Sequence, residues 1–251
     1  MHSERPVNTV ARKKIVFVIV EGPSDEEALG VILSRLYSSS EVYVHIMHGD
    51  ITSEFIESPN ENILTRVASE VEGYATSNHY EKLHFKEIIR IVDTDGTFIP
   101  DANVMEDSSA EKPIYSLNEI RTKNKAGIEN RNRRKASNIS KLCSKKELWG
   151  IPYQVYYMSC NLDHVLYDKL NSSDEDKEED AFRFARFYKD RIPEFMKFIS
   201  ESDFSVVGDY RESWNFIKKD LNSLHRHTNL GIGLPSPKEE TEKPKEETEK
   251  K

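Results

Sequence analysis

A continuous apolar run opens the ordered pattern of the chain. Residues 15–20, "IVFVIV", are mostly β-branched, as expected for a strand that is covered on both faces. Apolar residues with helical spacing follow this run: Ala28, Leu29, Ile32, Leu33 and Leu36. We predict a helix there, with Ser24 as its N-cap and Glu27 closing a capping box. Glu21 and Asp25 then lie in a turn between a strand and a helix.

Three later segments also have the residue pattern of buried strands. They are "EVYVHIMHGD" at 41–50, "KEIIRIVDTDG" at 86–96 and "IPYQVYYMS" at 151–159. A helix is predicted over 62–74, between the first two of these segments. Strands that alternate with helices indicate parallel pairing with crossover connections. We therefore predict an α/β fold, with an open, mainly parallel four-stranded sheet of Rossmann-like type and flanking helices.

The C-terminal third reads as helical. In "DAFRFARFYKDRIPEFMKFI" the apolar residues have helical spacing, and Pro193 is expected to kink or break the helix. We predict a second amphipathic helix over 209–229, with Trp214, Ile217 and Leu221 facing inward. The closing "KEETEKPKEETEKK" has no aliphatic or aromatic residue and is predicted to be disordered.

These patterns divide the chain into four parts. Residues 1–12 are a flexible N-terminus, and residues 13–170 form the α/β domain, with a basic insertion at about 121–146. A helical C-terminal extension covers 171–232, and the charged tail covers 233–251.

Composition restricts the class of protein. The chain has 251 residues, of which 32% are charged and 37% hydrophobic, and these fractions indicate a soluble globular protein that is more polar than average. No apolar run approaches the roughly 20 residues that span a bilayer. We expect a cytoplasmic protein without membrane contact, in which Cys143 and Cys160 are free thiols.

The net charge of −8 is unevenly distributed. The segment 121–146 holds ten Lys or Arg residues against one acid, Glu129. A solvated face or a mobile loop explains such a run as well as nucleic-acid binding does. The segment lies between the third and fourth strands, so we expect it near the edge of the sheet where the parallel strands end. This position favours contacts with nucleic-acid phosphates. The candidate residues are Arg131, Arg133, Arg134 and Lys135, together with Arg226 in "LHRHTN", where cations at a helix C-terminus are the alternative explanation.

Acidic residues follow two of the predicted strands. Glu21 and Asp25 come after the first strand, and Asp93 and Asp95 close the third. The carboxyl ends of parallel strands share one edge of a sheet, so we expect these carboxylates to converge. Such a cluster either has raised pKa values or binds a hard cation, and an all-oxygen ligand set suits Mg²⁺ or Mn²⁺. The alternatives are acids favoured at a helix start and an ordinary turn at "DTDG".

The motifs "VEGPSDEEAL" and "IVDTDG" resemble the TOPRIM family, closest to its OLD-like and ribosomal-RNA maturase-like single-domain nucleases. The resemblance implies that Glu21 is a metal ligand or general base, and that Asp93 and Asp95 are the principal ligands. It assigns Asp25 to a second ion. Asp50 in "HGD" is a further candidate ligand, with a simple turn as the equal alternative.

The segment "CNLDHVLYD" offers two interpretations. By the same resemblance, Asp163 would complete the metal site and His164 would transfer protons. The alternative is an ordinary helix start with Asn161 as its N-cap. OLD-like enzymes also use a lysine to stabilise the transition state, but the sequence does not single one out.

The function implied by the resemblance is that of a Mg²⁺-dependent endonuclease of DNA or RNA, transfer RNA included. Such a hydrolase would serve as a toxin-like antiphage effector of the abortive-infection type. One alternative is a binding or regulatory subunit that is inactive alone and acts through a separate ATPase, because the chain lacks a Walker-type loop. Another is an enzyme that acts on a small nucleotide. Assembly into a homo-oligomer is also left open.

Overall fold

The structure is a computed structural model that describes residues 13–37, 41–46, 51–53 and 62–235. The predicted N-terminus, most of the predicted tail and the candidate ligand Asp50 lie outside these ranges. Among the described residues, no helix combines the length and the apolar character that crossing a membrane requires.

The described residues form the following strands: β1 (Ile15–Val20), β2 (Glu41–Ile46), β3 (Phe85–Asp93), β4 (Val104–Glu106), β5 (Ile114–Tyr115), β6 (Ile120–Thr122), β7 (Glu147–Leu148), β8 (Ile151–Ser159) and β9 (His227–Thr228). They also form these α-helices: α1 (Pro23–Leu36), α2 (Ile63–Ser77), α3 (Lys125–Cys143), α4 (Leu162–Tyr167), α5 (Asp174–Tyr188), α6 (Ile192–Glu201), α7 (Tyr210–Ile217) and α8 (Leu230–Gly233).

The main sheet is mixed and mostly parallel. Its strand order is β2-β1-β3-β8-β7, and β9 pairs with β8. The four strands predicted from apolar runs are the four parallel ones, whereas β7 and β9 run antiparallel to β8. The predicted α/β class is thus confirmed, and the arrangement is compatible with a Rossmann-like fold. Strand β1 lies between β2 and β3, which explains why all its residues are buried.

Helices cover both faces of this sheet. On one face Val16, Val18 and Val20 of β1 pack in a cluster with residues of α1, α4, α5 and α6. On the other face Ile15, Phe17 and Ile19 pack in a cluster with residues of α2, α3 and α7. The alternation follows from the period of two in a strand. Because α5 to α7 belong to these layers, the segment after residue 170 packs directly on the sheet.

Helix α1 begins earlier than the predicted capping box. Its N-cap is Gly22, and Pro23 occupies the first helical position, where its fixed φ suits a helix start. Asp25, rather than Glu27, turns back to accept hydrogen bonds from the N–H groups of Gly22 and Glu21. The capping box predicted from Ser24 is therefore wrong, and Asp25 has a structural role at this turn.

The basic segment is not a mobile loop, although six of its ten Lys and Arg residues are exposed. It forms the 19-residue helix α3, whose inner face is buried. The buried residues of this helix are Ile128, Asn132, Lys135, Asn138, Ile139 and Leu142. Half of that face is polar, which explains why hydrophobic periodicity does not reveal it. Before α3, the strands β4, β6 and β5 form a small separate sheet.

The C-terminal helices are shorter than the sequence suggests. Pro193 is near the start of α6, so the predicted break between α5 and α6 is confirmed. The predicted single helix over 209–229 is wrong, because α7 ends at Ile217. The chain then turns back to form β9, and the Ser159 hydroxyl donates to the carbonyl groups of Asn222 and His225 in that turn.

Candidate functional site

Two predicted site residues meet where β1 and β3 end side by side. Glu21 directly follows β1, and Asp93 is the last residue of β3. The backbone N–H of Asp93 donates to Oε1 of Glu21 over 3.4 Å. The parallel pairing of the two strands therefore brings these carboxylates together, as the sequence predicts.

Asp25 lies on the first turn of α1, next to the same edge. Its Oδ2 accepts from the N–H of Glu21 at 3.2 Å and of Gly22 at 3.0 Å. Burial raises the pKa of Asp25 to about 6, and the charge of Asp163 adds to this effect, while the two hydrogen bonds and Lys177 oppose it. Asp25 thus belongs to the acidic cluster although its carboxylate is engaged by the backbone.

A tight turn after β3 fixes Asp95. Asp95 has φ +46° and Gly96 has φ +64°. The N–H of Asp95 donates to the carbonyl of Cys160 at 2.7 Å, which ties the turn to the end of β8. A Cβ atom on residue 96 would lie 2.6 Å from Cδ2 of Leu224, so this position requires glycine for space as well as for backbone conformation.

Asp93, like Asp25, has a raised pKa. Burial raises its pKa well above the usual range, and the negative charges of Glu21, Asp25 and Asp95 raise it further. Lys135 opposes this shift. Three carboxyl neighbours of Asp93 are thus opposed by one lysine.

Lys135 is the residue whose position the sequence did not reveal. It was predicted on a phosphate-binding surface, but its side chain is completely buried and donates to the carboxylate of Asp95. Its Nζ also lies 4.0 Å from Oε2 of Glu21. Lys135 lies seven residues after Ile128 and seven before Leu142, so it shares the inner face of α3 with these two residues. Helical spacing would therefore have indicated its buried position if a lysine had been allowed on that face.

Two of the neighbouring arginines stabilise loops. Arg131 donates to the carbonyl of Asp95 at 2.8 Å and to the hydroxyl of Tyr115 at 2.7 Å. Arg134 donates to the carbonyl of Ser53 at 3.1 Å. Both side chains are half-buried. Arg131 therefore contacts the backbone of the turn that carries Asp95, not its carboxylate.

The other two predicted phosphate contacts lie apart. Arg133 is exposed and forms an ion pair with Asp101 at 2.9 Å. Arg226 donates to the carbonyl of Val165 at 2.8 Å, and its guanidinium lies 4.2 Å from the ring centroid of Phe204. The structure thus does not assemble the predicted basic residues into one surface.

Asp163 lies in the first turn of α4, whose N-cap is Asn161, as the helix-start interpretation predicts. It is nevertheless buried, and its Oδ2 lies 3.7 Å from Nζ of Lys177. Burial raises the pKa of Asp163, and its charge in turn raises the pKa of Asp25. Asp163 and Lys177 therefore extend the charged cluster on the side of α5.

His164 is a buried neutral side chain. Its Nδ1 accepts from the N–H of Cys160 at 3.4 Å. Burial lowers its pKa to about 4, although Asp168 partly opposes this shift. A neutral imidazole with this pKa does not exchange protons near neutral pH, so the predicted proton transfer is not supported.

The described residues contain no group of three or more Asp, Glu, His or Cys side chains that is arranged to hold a metal ion. The chemistry of the donors nevertheless suits a hard divalent cation, because every candidate ligand is a carboxylate. The raised pKa of Asp93 also fits, because a bound cation would favour the charged carboxylate against both of its causes, burial first and the neighbouring negative charges second. The residues that would hold an ion are Glu21, Asp93 and Asp95, with Asp25 and Asp163 beside them.

The chain matches no protein-family model, no curated protein and no solved structure.

Proposed function

We propose that the chain is a TOPRIM-like nuclease that hydrolyses phosphodiester bonds with Mg²⁺ or Mn²⁺. One observation carries this proposal. Asp93 is buried beside Glu21, Asp25 and Asp95, and its pKa is raised by burial and further by their negative charges, which Lys135 opposes. Several carboxylates at the carboxyl ends of adjacent parallel strands are suited to binding a cation and a phosphate ester at that edge.

A divalent ion in such a site polarises a phosphoryl oxygen and lowers the pKa of a bound water. The protein groups would act around it. We assign Glu21, whose Oε1 accepts from the Asp93 N–H, as the base that takes the proton of the attacking water. Lys135 acts as a positioning residue, because its buried ammonium group holds the carboxylate of Asp95.

A polymeric substrate is supported by the basic character of the chain near the site. Arg131 contacts Asp95, so the N-terminal half of α3 lies beside the cluster. Lys123, just before the start of α3, is exposed. Cations of this kind contact phosphates without reading sequence, so binding to a polymer should weaken steeply with salt, whereas binding to a mononucleotide should not.

The test is cleavage of supercoiled plasmid and of total small RNA at low salt, with Mg²⁺, Mn²⁺ or EDTA. The wild type is compared with Asp93→Asn, which keeps the shape of the side chain, and with Asp203→Asn as a matched control at an exposed position. We expect metal-dependent cleavage of one polymer, a loss of at least about a hundredfold in Asp93→Asn, and full activity in Asp203→Asn.

Equal cleavage by the Asp93→Asn variant would contradict the proposal, because the activity would then come from elsewhere. If neither polymer is cut although the wild type binds metal through Asp93, hydrolysis by the chain alone is contradicted. The binding or regulatory subunit that acts through a partner ATPase is then the function to test.

A further inference from the structure

A cavity lies at the opposite end of the sheet from the carboxylate cluster. It has a volume of about 770 Å³ and is bounded by the end of α3, the starts of β3 and β8, and α7. Glu87 near the start of β3 belongs to its wall, whereas Asp93 at the end of β3 belongs to the cluster. Asp93 is six positions beyond Glu87 along the strand, which corresponds to about 20 Å, so the cavity is a separate site.

The wall of this cavity is strongly cationic. Four exposed basic residues line it: Lys145, Lys146, Arg211 and Lys218. Among the described residues, none of the four has a carboxylate within ion-pair distance, although other lysines and arginines of the chain form such pairs. Glu87 is an acidic residue of the wall, and it pairs with Lys86 at 3.3 Å. The cavity therefore has a net positive charge that no described side chain neutralises.

A buried hydroxyl group in the wall also lacks a partner. Tyr153 is 1% exposed, and its hydroxyl makes no hydrogen bond to any described residue. Two other aromatic residues of the wall are satisfied: the Tyr210 hydroxyl donates to the carbonyl of Val155 at 2.8 Å, and Nε1 of Trp214 donates to the same carbonyl at 3.3 Å. A buried donor without an acceptor is unusual, and an anionic oxygen in the cavity would satisfy it once the Tyr153 side chain turns toward the cavity.

We infer that this cavity binds a small organic phosphate of nucleotide size. The four cations and the Tyr153 hydroxyl provide donors for a phosphate group. The volume falls within the range of about 300–1,000 Å³ found for small-molecule sites, and it is larger than a phosphate ion needs. Tyr210 and Trp214 supply apolar surface for the organic part of the ligand. This inference does not depend on the proposed nuclease function.

The test is isothermal titration calorimetry of the full chain with adenosine monophosphate, inorganic phosphate and adenosine, in EDTA so that metals play no part. Lys218→Gln is compared with Lys219→Gln, which makes the same change of charge at the neighbouring exposed residue outside the cavity. Tyr153→Phe removes only the unpartnered hydroxyl, and Asp93→Asn alters only the distant cluster.

We expect adenosine monophosphate to bind more tightly than inorganic phosphate, and adenosine to bind weakly or not at all. Lys218→Gln and Tyr153→Phe should each weaken binding by about tenfold, whereas Lys219→Gln and Asp93→Asn should leave the affinity unchanged. The melting temperature of Tyr153→Phe should equal or exceed that of the wild type, which separates lost binding from lost folding.

Three results would overturn the inference. The first is the absence of binding by all three probes at millimolar concentration. The second is equal binding of inorganic phosphate and adenosine monophosphate, since the organic part would then not be recognised. The third is equal weakening in Lys218→Gln and Lys219→Gln, since general electrostatic attraction would then explain the binding.

Discussion

The ammonium group of Lys135 donates to the carboxylate of Asp95 although the Lys135 side chain is completely buried. Asp95 follows β3 and Lys135 lies in the middle of α3, so the ion pair joins this helix to the turn at the candidate site. A buried charge is costly unless it is paired. The position of α3 and the charge balance of the site therefore depend on the same contact.

Removing the amine should destabilise the protein strongly. Lys135→Met leaves the carboxylates of Asp95 and Glu21 without their counter-charge, and we expect a loss of about 3–5 kcal/mol in the free energy of unfolding. Urea denaturation near neutral pH measures this loss. Lys141→Met, at an exposed position of the same helix, should change stability by less than about 0.5 kcal/mol.

The double variant Lys135→Met/Asp95→Asn separates the ion pair from general effects of packing. If the pair is the cause, the double variant loses less stability than the sum of the two single variants. Additive losses, or a Lys135→Met variant as stable as Lys141→Met, would contradict this account of the contact.

The sheet was predictable because its strands are buried on both faces. In β1 the apolar run is continuous, whereas the helix after it has a single apolar stripe. This change of pattern marks the boundary at Glu21. Helix α3 was not predictable in the same way. Its buried face includes Asn132, Lys135 and Asn138, and polar residues that are buried through specific partners carry no hydrophobic signal.

The carboxylate cluster was largely predictable, because parallel strands bring their carboxyl ends to one edge. The carboxyl groups there influence one another's pKa values. Besides burial, the charges of Glu21 and Asp25 raise the pKa of Asp93, and the charge of Asp163 raises that of Asp25. The contacts of the basic residues were not predictable. Arg131 and Lys135 bind groups on the turn at Asp95, which is far from them in sequence, and that pairing depends on the tertiary fold.

Asp25→Asn should stabilise the metal-free protein at alkaline pH. The pKa of Asp25 is about 6 in the folded protein, against 3.8 for an ordinary Asp, so the folded state holds its proton more tightly than the unfolded state does. This contribution to stability is complete below about pH 4 and is lost as the pH rises through 6. Asn keeps an oxygen to accept from Gly22 N–H and carries no charge.

We therefore expect Asp25→Asn to exceed the wild type by about 1–3 kcal/mol at about pH 8 in EDTA, and the difference to disappear toward pH 4. Urea denaturation across this range measures it. Glu26→Gln, at the exposed neighbouring acid, serves as the control and should show no comparable change. A wild type that is as stable as Asp25→Asn at pH 8 would show that the pKa of Asp25 is not raised in the folded protein.

His164 should remain neutral well below the usual range of histidine. Its pKa of about 4 results mainly from burial, so the imidazole ring should carry one proton between about pH 8 and pH 5. Nitrogen-15 NMR of the ring measures this directly and also identifies the tautomer, in which Nδ1 is the acceptor. A transition of His164 between pH 6 and pH 7 would restore it as a proton-transfer group.

Glycine substitutions test the turn that carries Asp95. Gly96→Ala places a methyl group against Leu224 at a residue with φ +64°, and we expect a loss of about 1–3 kcal/mol in stability. Gly73 lies within α2, and a Cβ there would have no neighbour within 4 Å. Gly73→Ala should therefore stabilise by about 0.5–1 kcal/mol. Thermal unfolding measures the change in stability of each variant. Changes of similar sign and size in Gly96→Ala and Gly73→Ala would contradict the described turn.

We propose that the carboxylates at the ends of β1 and β3 bind a divalent metal ion. Calorimetric titration with Mn²⁺ near pH 7, in two buffers of different ionisation enthalpy, measures both the affinity and the protons released. Because the pKa of Asp93 is raised, we predict that the wild type binds Mn²⁺ and releases up to about one proton. Asp93→Asn should bind at least about tenfold more weakly and release fewer protons, whereas Asp203→Asn should match the wild type. A wild type that binds no Mn²⁺, or an Asp93→Asn variant that binds it equally well, would contradict the claim.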